Sequence, residues 1–166
     1  MFNIKNNFLS KKEFNQIKNV ICNLFFPWYF FPFIGFRENI KKDPTQFQYI
    51  HTFYEYNRPN SPYFDKLQPL LDKLNCKSLV RIKVNCNPYS SKFFESEYHI
   101  DFDYKNLKTA IYYINTNNGY TKFKKNNKKI TSVENRLVVF DSNLEHCGTN
   151  TTDSKRRIVL NINYFE

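Results

Sequence analysis

Glycine is scarce, 3 in 166 residues. A phosphate cradle needs glycines where the backbone must approach the ligand, and neither GxGxxG nor GxxxxGKS/T occurs. Cysteine is also thin. Cys22, Cys76, Cys86 and Cys147 form no CxxC pair, which argues against a structural zinc ribbon. No secretory signal is visible, so free thiols in a reducing cytoplasm are expected. Long apolar runs are missing too. The longest, Leu24 to Gly35, falls short of the roughly 20 residues a membrane helix needs and contains Pro27 and Pro32, so no membrane association is expected. It suits a core segment or a lip over a pocket. Negative charge is in deficit: 15 acidic residues against 25 basic ones give a net +10. That sign favours an acidic partner or an anionic small molecule. The basic residues are scattered rather than striped, which fits an ordinary solvated surface.

What remains is aromatic and strand-like. Aromatic residues make up 19% of the chain, and the length fits one domain over residues 1–166. Ser10-Lys11-Lys12-Glu13 is a capping box opening a helix. Phe14, Ile17, Val20, Ile21 and Leu24 continue it at helical spacing, with a stop expected at Pro27. Trp28 to Phe36 should be extended and residues 37–46 a loop. Phe47 to Tyr56 favours a strand. A second helix is expected from Ser61-Pro62 through Leu74, with Pro69 kinking or delaying it. From Leu79 the pattern changes to strands: Leu79–Cys86, Glu97–Asp101, Thr109–Ile114, Thr121–Phe123, Arg136–Phe140 and Arg157–Phe165. Polar turns separate them, notably at 115–119 and 124–129. The expected class is α+β, mainly β. A helical N-terminal support over about 1–78 would pack on a β-sandwich or jelly-roll core over about 79–166.

Within that core, His99 and Asp101 are two residues apart, and successive alternate residues of a strand share a face. His146 follows far downstream, just after the apolar run Leu137 to Phe140. Two imidazoles and one carboxylate can hold one face of an octahedral iron(II) and leave the other open. HxD alone is a weak motif, but the chain has only three histidines and two belong to this set. The third, His51, reads as a packed or substrate-side residue. Beyond His146, Arg156 and Arg157 lead an alternating strand. A buried guanidinium demands an anion and can clasp a carboxylate through two parallel hydrogen bonds.

In order, these segments resemble the iron(II)- and 2-oxoglutarate-dependent dioxygenases: His99-x-Asp101, then Thr109 to Asn115, Gly119 to Phe123, Arg136 to Phe140, His146, and Arg157 to Leu160. The resemblance covers roughly Leu79 to the end and is closest to the prolyl-4-hydroxylase-like branch. It implies a double-stranded β-helix. It implies that His99, Asp101 and His146 bind Fe(II), and that Arg157 holds the distal carboxylate of 2-oxoglutarate. Tyr113 would assist that carboxylate, and Asn85 would lie near the co-substrate. The implied reaction consumes O2 and 2-oxoglutarate and releases succinate and CO2. The carboxylate of Asp101 favours hydroxylation, or demethylation through hydroxylation, over halogenation. The stretch Asn85 to Tyr98 does not match the substrate loop of prolyl hydroxylases, so prolyl hydroxylation does not follow. A protein side chain, a nucleobase and a small metabolite all remain as substrates, with the mouth expected at residues 27–33, 37–46 and 87–96. Two other readings stand beside this one. The first is a basic β-sandwich module binding nucleic acid or another polyanion. The second is a cupin-type protein holding a different metal through His99, His146 and Cys147.

Overall fold

The computed structural model describes residues 2–34 and 46–166. Most of the loop expected over 37–46, and the last residues of the extended stretch 28–36, lie outside them. Among the described residues no helix is long and apolar enough to cross a membrane.

Helix α1 (Lys11–Ile21) starts as its capping box dictates. The Glu13 N–H donates to Ser10 Oγ at 3.3 Å, and the Ser10 N–H donates back to Glu13 Oε2 at 3.0 Å. Phe14, Ile17 and Ile21 form its buried stripe. The helix ends before Pro27. Asn23 Oδ1 accepts the Phe25 N–H at 2.9 Å, a local bond that competes with helix continuation, and Leu24 and Phe25 are left exposed. The second helix is delayed, as Pro69 foretells. A 3-10 turn at Phe64–Leu67 precedes α2 (Gln68–Lys73). Pro69 then sits in the first turn, where its missing N–H costs nothing.

The rest is mainly β and antiparallel. The strands are β1 (Asn3–Lys5), β2 (Tyr29–Phe31), β3 (Gln48–Glu55), β4 (Arg58–Pro59), β5 (Ser78–Pro88), β6 (Lys108–Tyr113), β7 (Tyr120–Phe123), β8 (Lys129–Thr131), β9 (Leu137–Asp141), β10 (His146–Gly148) and β11 (Arg156–Phe165). One sheet runs β1-β9-β6-β11-β5-β3-β2, with β4 paired to β3, and a smaller one runs β10-β7-β8. The N-terminal part is therefore not only helical, since β1, β2 and β3 belong to the large sheet. Residues Glu97–Asp101 do not form the continuous strand expected. They lie alongside β10 through isolated bridges, His99 to His146 and, just upstream, Glu95 to Thr149. This segment pairs on one side only, and its partner strand is three residues long.

The large sheet is covered on both faces. On one, Phe14, Ile17, Ile21, Leu67, Leu70 and Leu71 from the helical segments pack with Ile82, Val84, Tyr112, Leu160 and Ile162. On the other, Phe123 and Ile130 of the small sheet pack with Ile111, Tyr113, Val138, Phe140 and Val159. Strands buried on both faces are free to carry polar residues inward wherever the two sheets diverge, and that is where a cavity lies.

Candidate functional site

β5 and β11 build the cavity wall by alternation. Ile82, Val84 and Cys86 of β5, and Ile158, Leu160, Ile162 and Tyr164 of β11, enter the helix-side core. The intervening residues point the other way and pair across the two strands: Asn87 with Arg157, Asn85 with Val159, Lys83 with Asn161, Arg81 with Asn163. The cavity they line measures about 360 Å³ and also receives His99, Asp101, His146, Phe31 and Phe94.

His99 and His146 meet as an antiparallel pair, exchanging two backbone hydrogen bonds of 2.9 Å. Their rings stand 4.6 Å apart. Together with Asp101 they form one group whose potential ligand atoms all lie within 4.8 Å of one another. His146 Nδ1 is 2.9 Å from the Leu144 carbonyl. A carbonyl can only accept, so Nδ1 carries the proton and Nε2 is left as the lone-pair nitrogen, as a metal-binding histidine requires. His99 Nδ1 is placed similarly, 3.2 Å from the Glu97 carbonyl. Burial and the neighbouring His146 hold the His99 imidazole below its ordinary range, which keeps it neutral.

Asp101 is held by four side chains. Thr109 Oγ1 donates to Oδ2 at 2.8 Å and Asn163 Nδ2 at 3.1 Å. Asn161 Nδ2 reaches Oδ2 at 3.3 Å, and an Arg81 guanidinium nitrogen reaches Oδ1 at 3.3 Å. Burial alone would raise this carboxyl, but His146, Arg81, His99 and the Thr109 hydroxyl outweigh it and keep the group ionised. Two imidazoles, each with Nδ1 turned to a backbone carbonyl, and a fixed carboxylate make a donor set that suits a divalent iron.

Arg157 is 2% exposed. Its Nε donates to Ser132 Oγ at 2.9 Å, and its terminal nitrogens reach Thr149 O at 3.4 Å and Thr121 Oγ1 at 3.3 Å. Among the described residues no carboxylate pairs with it. Tyr113 is fully buried behind it, with its ring centroid 5.8 Å from the guanidinium carbon and its hydroxyl donating to Thr121 Oγ1 at 2.9 Å. Tyr113 does not itself line the cavity. Asn85 does, and its Oδ1 is buried without a partner.

The structure thus brings His99, Asp101, His146, Arg157 and Asn85 to one cavity, with Tyr113 in the layer behind. Arg156 pairs with Pro88 at the end of the sheet and does not line the cavity. His51 is packed rather than ligating, bonded to Pro27 O and Ser61 Oγ at 2.8 Å each. Cys147 is buried but alternation turns it away from the cavity, and it stands outside the ligand group. The expected mouth is met by Phe31, Asn87, Phe94 and Ser96; its 37–45 portion lies outside the described residues. Sequence reasoning missed Arg81, Lys83, Thr109, Asn161 and Asn163. The signal was present in the runs Arg81-Ile82-Lys83-Val84-Asn85 and Asn161-Ile162-Asn163, where polar residues alternate in strands too apolar to face water on either side.

No family model and no curated protein matches the sequence of this chain. Solved structures do match its fold. A prolyl hydroxylase of Trichoplax adhaerens, solved with a peptide of the hypoxia inducible factor oxygen degradation domain, superposes with a TM-score of 0.69 at 18% identity, covering 99% of this chain and 83% of that one. The viral collagen prolyl hydroxylase of Paramecium bursaria Chlorella virus-1, solved as its 2-oxoglutarate complex, gives 0.59 at 16% identity over 99% and 96%. The non-haem α-ketoglutarate-dependent epimerase of nogalamycin biosynthesis gives 0.67 at 8% identity over 99% and 78%. The chain has the fold of the prolyl-hydroxylase-like 2-oxoglutarate oxygenases.

Proposed function

We propose that this chain is an Fe(II)- and 2-oxoglutarate-dependent oxygenase that hydroxylates a C–H bond and releases succinate and CO2. The observation that carries this reading is Arg157, a buried cation with no carboxylate partner among the described residues, lining the same cavity as the His99, Asp101, His146 group. An unpaired buried guanidinium is costly unless an anion joins it. A dicarboxylate meets both demands at once, one end on the metal and the other on Arg157.

In this reading the whole chain is one domain, and its two sheets are the walls of a double-stranded β-helix supported by the two helices. His99, Asp101 and His146 hold the iron. Asp101 offers Oδ1, the less engaged oxygen, while Thr109 and Asn163 fix Oδ2. Bound iron with O2 supplies the oxidant; the chain supplies binding, orientation and exclusion of water. Arg157 anchors the distal carboxylate, Tyr113 stiffens it through Thr121, and Asn85 presents its amide to the bound molecule. Phe31, Phe94, Phe102 and Ile111 belong to the apolar part of the lining. The fold alone does not select the outcome, since a hydroxylase and an epimerase share it. The ionised carboxylate of Asp101 leaves no position for a halide, which favours hydroxylation. The substrate stays within the three classes the sequence allows: a protein side chain, a nucleobase or a small metabolite.

Anaerobic addition of Fe(II) and then 2-oxoglutarate should produce a visible charge-transfer band. Asp101→Ala should abolish the band and iron-dependent succinate formation while the circular dichroism spectrum stays native. A wild-type protein that binds Fe(II) but shows no band with 2-oxoglutarate would sink this reading.

A further inference from the structure

Among the described residues, the cavity lining holds three cations, Arg81, Lys83 and Arg157, against one carboxylate, Asp101. That is a surplus of two positive charges. A divalent iron and a dianionic co-substrate cancel each other, so on the reading above, the surplus persists after both are bound. Arg81 is partly answered by Asp101 at 3.3 Å, although its Nε is buried without a partner. Arg157 is answered by the co-substrate. Lys83 feels Asp101 and Glu55 only at a distance: among the described residues, no hydrogen bond or ion pair engages its ammonium.

Its place is defined by register. Lys83 stands opposite Asn161, and Arg157 stands opposite Asn87. The two cations are therefore four residues apart along the ladder, about 13 Å at strand rise. Lys83 lies at the Asp101 end of the cavity. Burial, and then the Arg81 charge, push its ammonium down to about 8 against the pull of Asp101 and Glu55. Around it, Asn161 Oδ1 also has no partner. Some surface lysines are neutralised locally, Lys122 with Glu95 at 2.9 Å, Lys124 with Glu145 at 2.6 Å and Lys108 with Asp141 at 2.6 Å; Lys83 differs from the unpaired surface lysines in lining the cavity.

We infer that the substrate carries an oxyanion, a carboxylate or a phosphate, and that Lys83, with Arg81 beside it, binds this group while the reacting carbon faces the metal. The proposal rests on the dioxygenase reading for the geometry of substrate and metal, and on the cavity charge alone for the anion. It narrows the substrate to a molecule or side chain that is acidic near the carbon oxidised.

The test uses full-length protein with 13C-labelled lysine, loaded with Zn(II) as a diamagnetic stand-in and with saturating 2-oxoglutarate. The Lys83 Cε–Hε resonance is assigned by its loss in Lys83→Met. Inorganic phosphate, acetate and acetamide are titrated separately. The expected result is a saturable shift of the Lys83 resonance with phosphate or with acetate, none with acetamide, and no comparable shift at other lysines. The stronger of the two anions identifies the source. Lys83→Arg should retain anion binding, read by the 13C carboxyl or 31P line width, and Lys83→Met should lose it with 2-oxoglutarate affinity changed less than twofold. Equal shifts with acetamide, shifts spread over all lysines, or no shift would overturn the proposal. So would a tenfold loss of 2-oxoglutarate affinity in Lys83→Met, which would make Lys83 a co-substrate ligand. The visible band with Fe(II) reports the metal reading separately, so one can fail while the other stands.

Discussion

Two adjacent arginines show how much one residue of register decides. Arg157 points into the protein and Arg156 does not, because successive side chains of β11 take opposite faces. Arg157 is 2% exposed and contacts Ser132, Thr149 and Thr121. Removing it should cost the co-substrate a charge-assisted hydrogen-bonded contact worth about 1.5–3 kcal/mol. Arg157→Ala should therefore raise the 2-oxoglutarate concentration at half-saturation of the visible band by roughly 10- to 100-fold. Arg156→Ala removes a peripheral charge and should change it no more than about fivefold. A larger effect for Arg156 than for Arg157 would contradict the observed register of β11. The same residue-scale logic governs Asp101. Its carboxylate is oriented on one oxygen by Thr109 and Asn163, so a metal bound there would meet a preset ligand instead of a mobile one.

At the level of elements, the anchor depends on a neighbour that carries no charge. Gly119 precedes β7, and a Cβ placed there would lie 2.5 Å from Arg157 Cδ, 2.7 Å from Asn150 O and 2.8 Å from Asn117 Oδ1. Asn150 O is backbone and cannot retreat cheaply, so the Arg157 side chain must move. Gly119→Ala should cost about 1–3 kcal/mol by overpacking, split between a lower melting temperature and a weaker 2-oxoglutarate complex. Fe(II) binding without 2-oxoglutarate should be unchanged. Wild-type co-substrate affinity together with wild-type melting would show that the turn yields freely. Legibility in the sequence followed the same physics. The buried strands β5, β6, β9 and β11 were readable, because β5 and β11 alternate apolar with polar residues and β6 and β9 are near-continuous apolar runs. The gathering of His99, Asp101 and His146 was readable because histidine is rare here. What failed was short or one-sided. β1 is three exposed residues. β8 has no counterpart among the expected strands, and only its first residue, Lys129, falls in the polar turn expected at 124–129. His99 and Asp101 were placed on a strand when they sit on an edge held by isolated bridges. Lys83 and Arg81 were missed because a charged residue in a strand reads as solvent-facing until the second sheet is known to cover it.

Across the whole molecule, the two cores on either face of the large sheet respond to pH through different groups, and His51 reports the helix-side core. It lies among Phe26 and Phe53, with ring centroids 4.6 and 4.9 Å away. Its Nδ1–H donates to Pro27 O, which can only accept, so Nε2 accepts from the Ser61 hydroxyl. Both bonds describe a neutral ring. Burial holds its proton affinity below the ordinary 6.5, with the Pro27 carbonyl opposing only in part. The folded state then binds fewer protons than the unfolded chain just below that pH, so stability falls as pH drops. The contribution is complete above about 6.5, the unfolded value, and is lost progressively as pH falls toward the depressed folded value. The melting temperature of the metal-free protein should decline between about pH 7.5 and pH 5.5 through this histidine. His51→Gln keeps a donor for Pro27 and an acceptor for Ser61 but cannot titrate, so its decline should be shallower. His99, depressed by burial and by His146, acts in the same direction and leaves a residual slope in the variant. Parallel melting profiles for wild type and His51→Gln would show that the helix-side core tolerates an imidazolium.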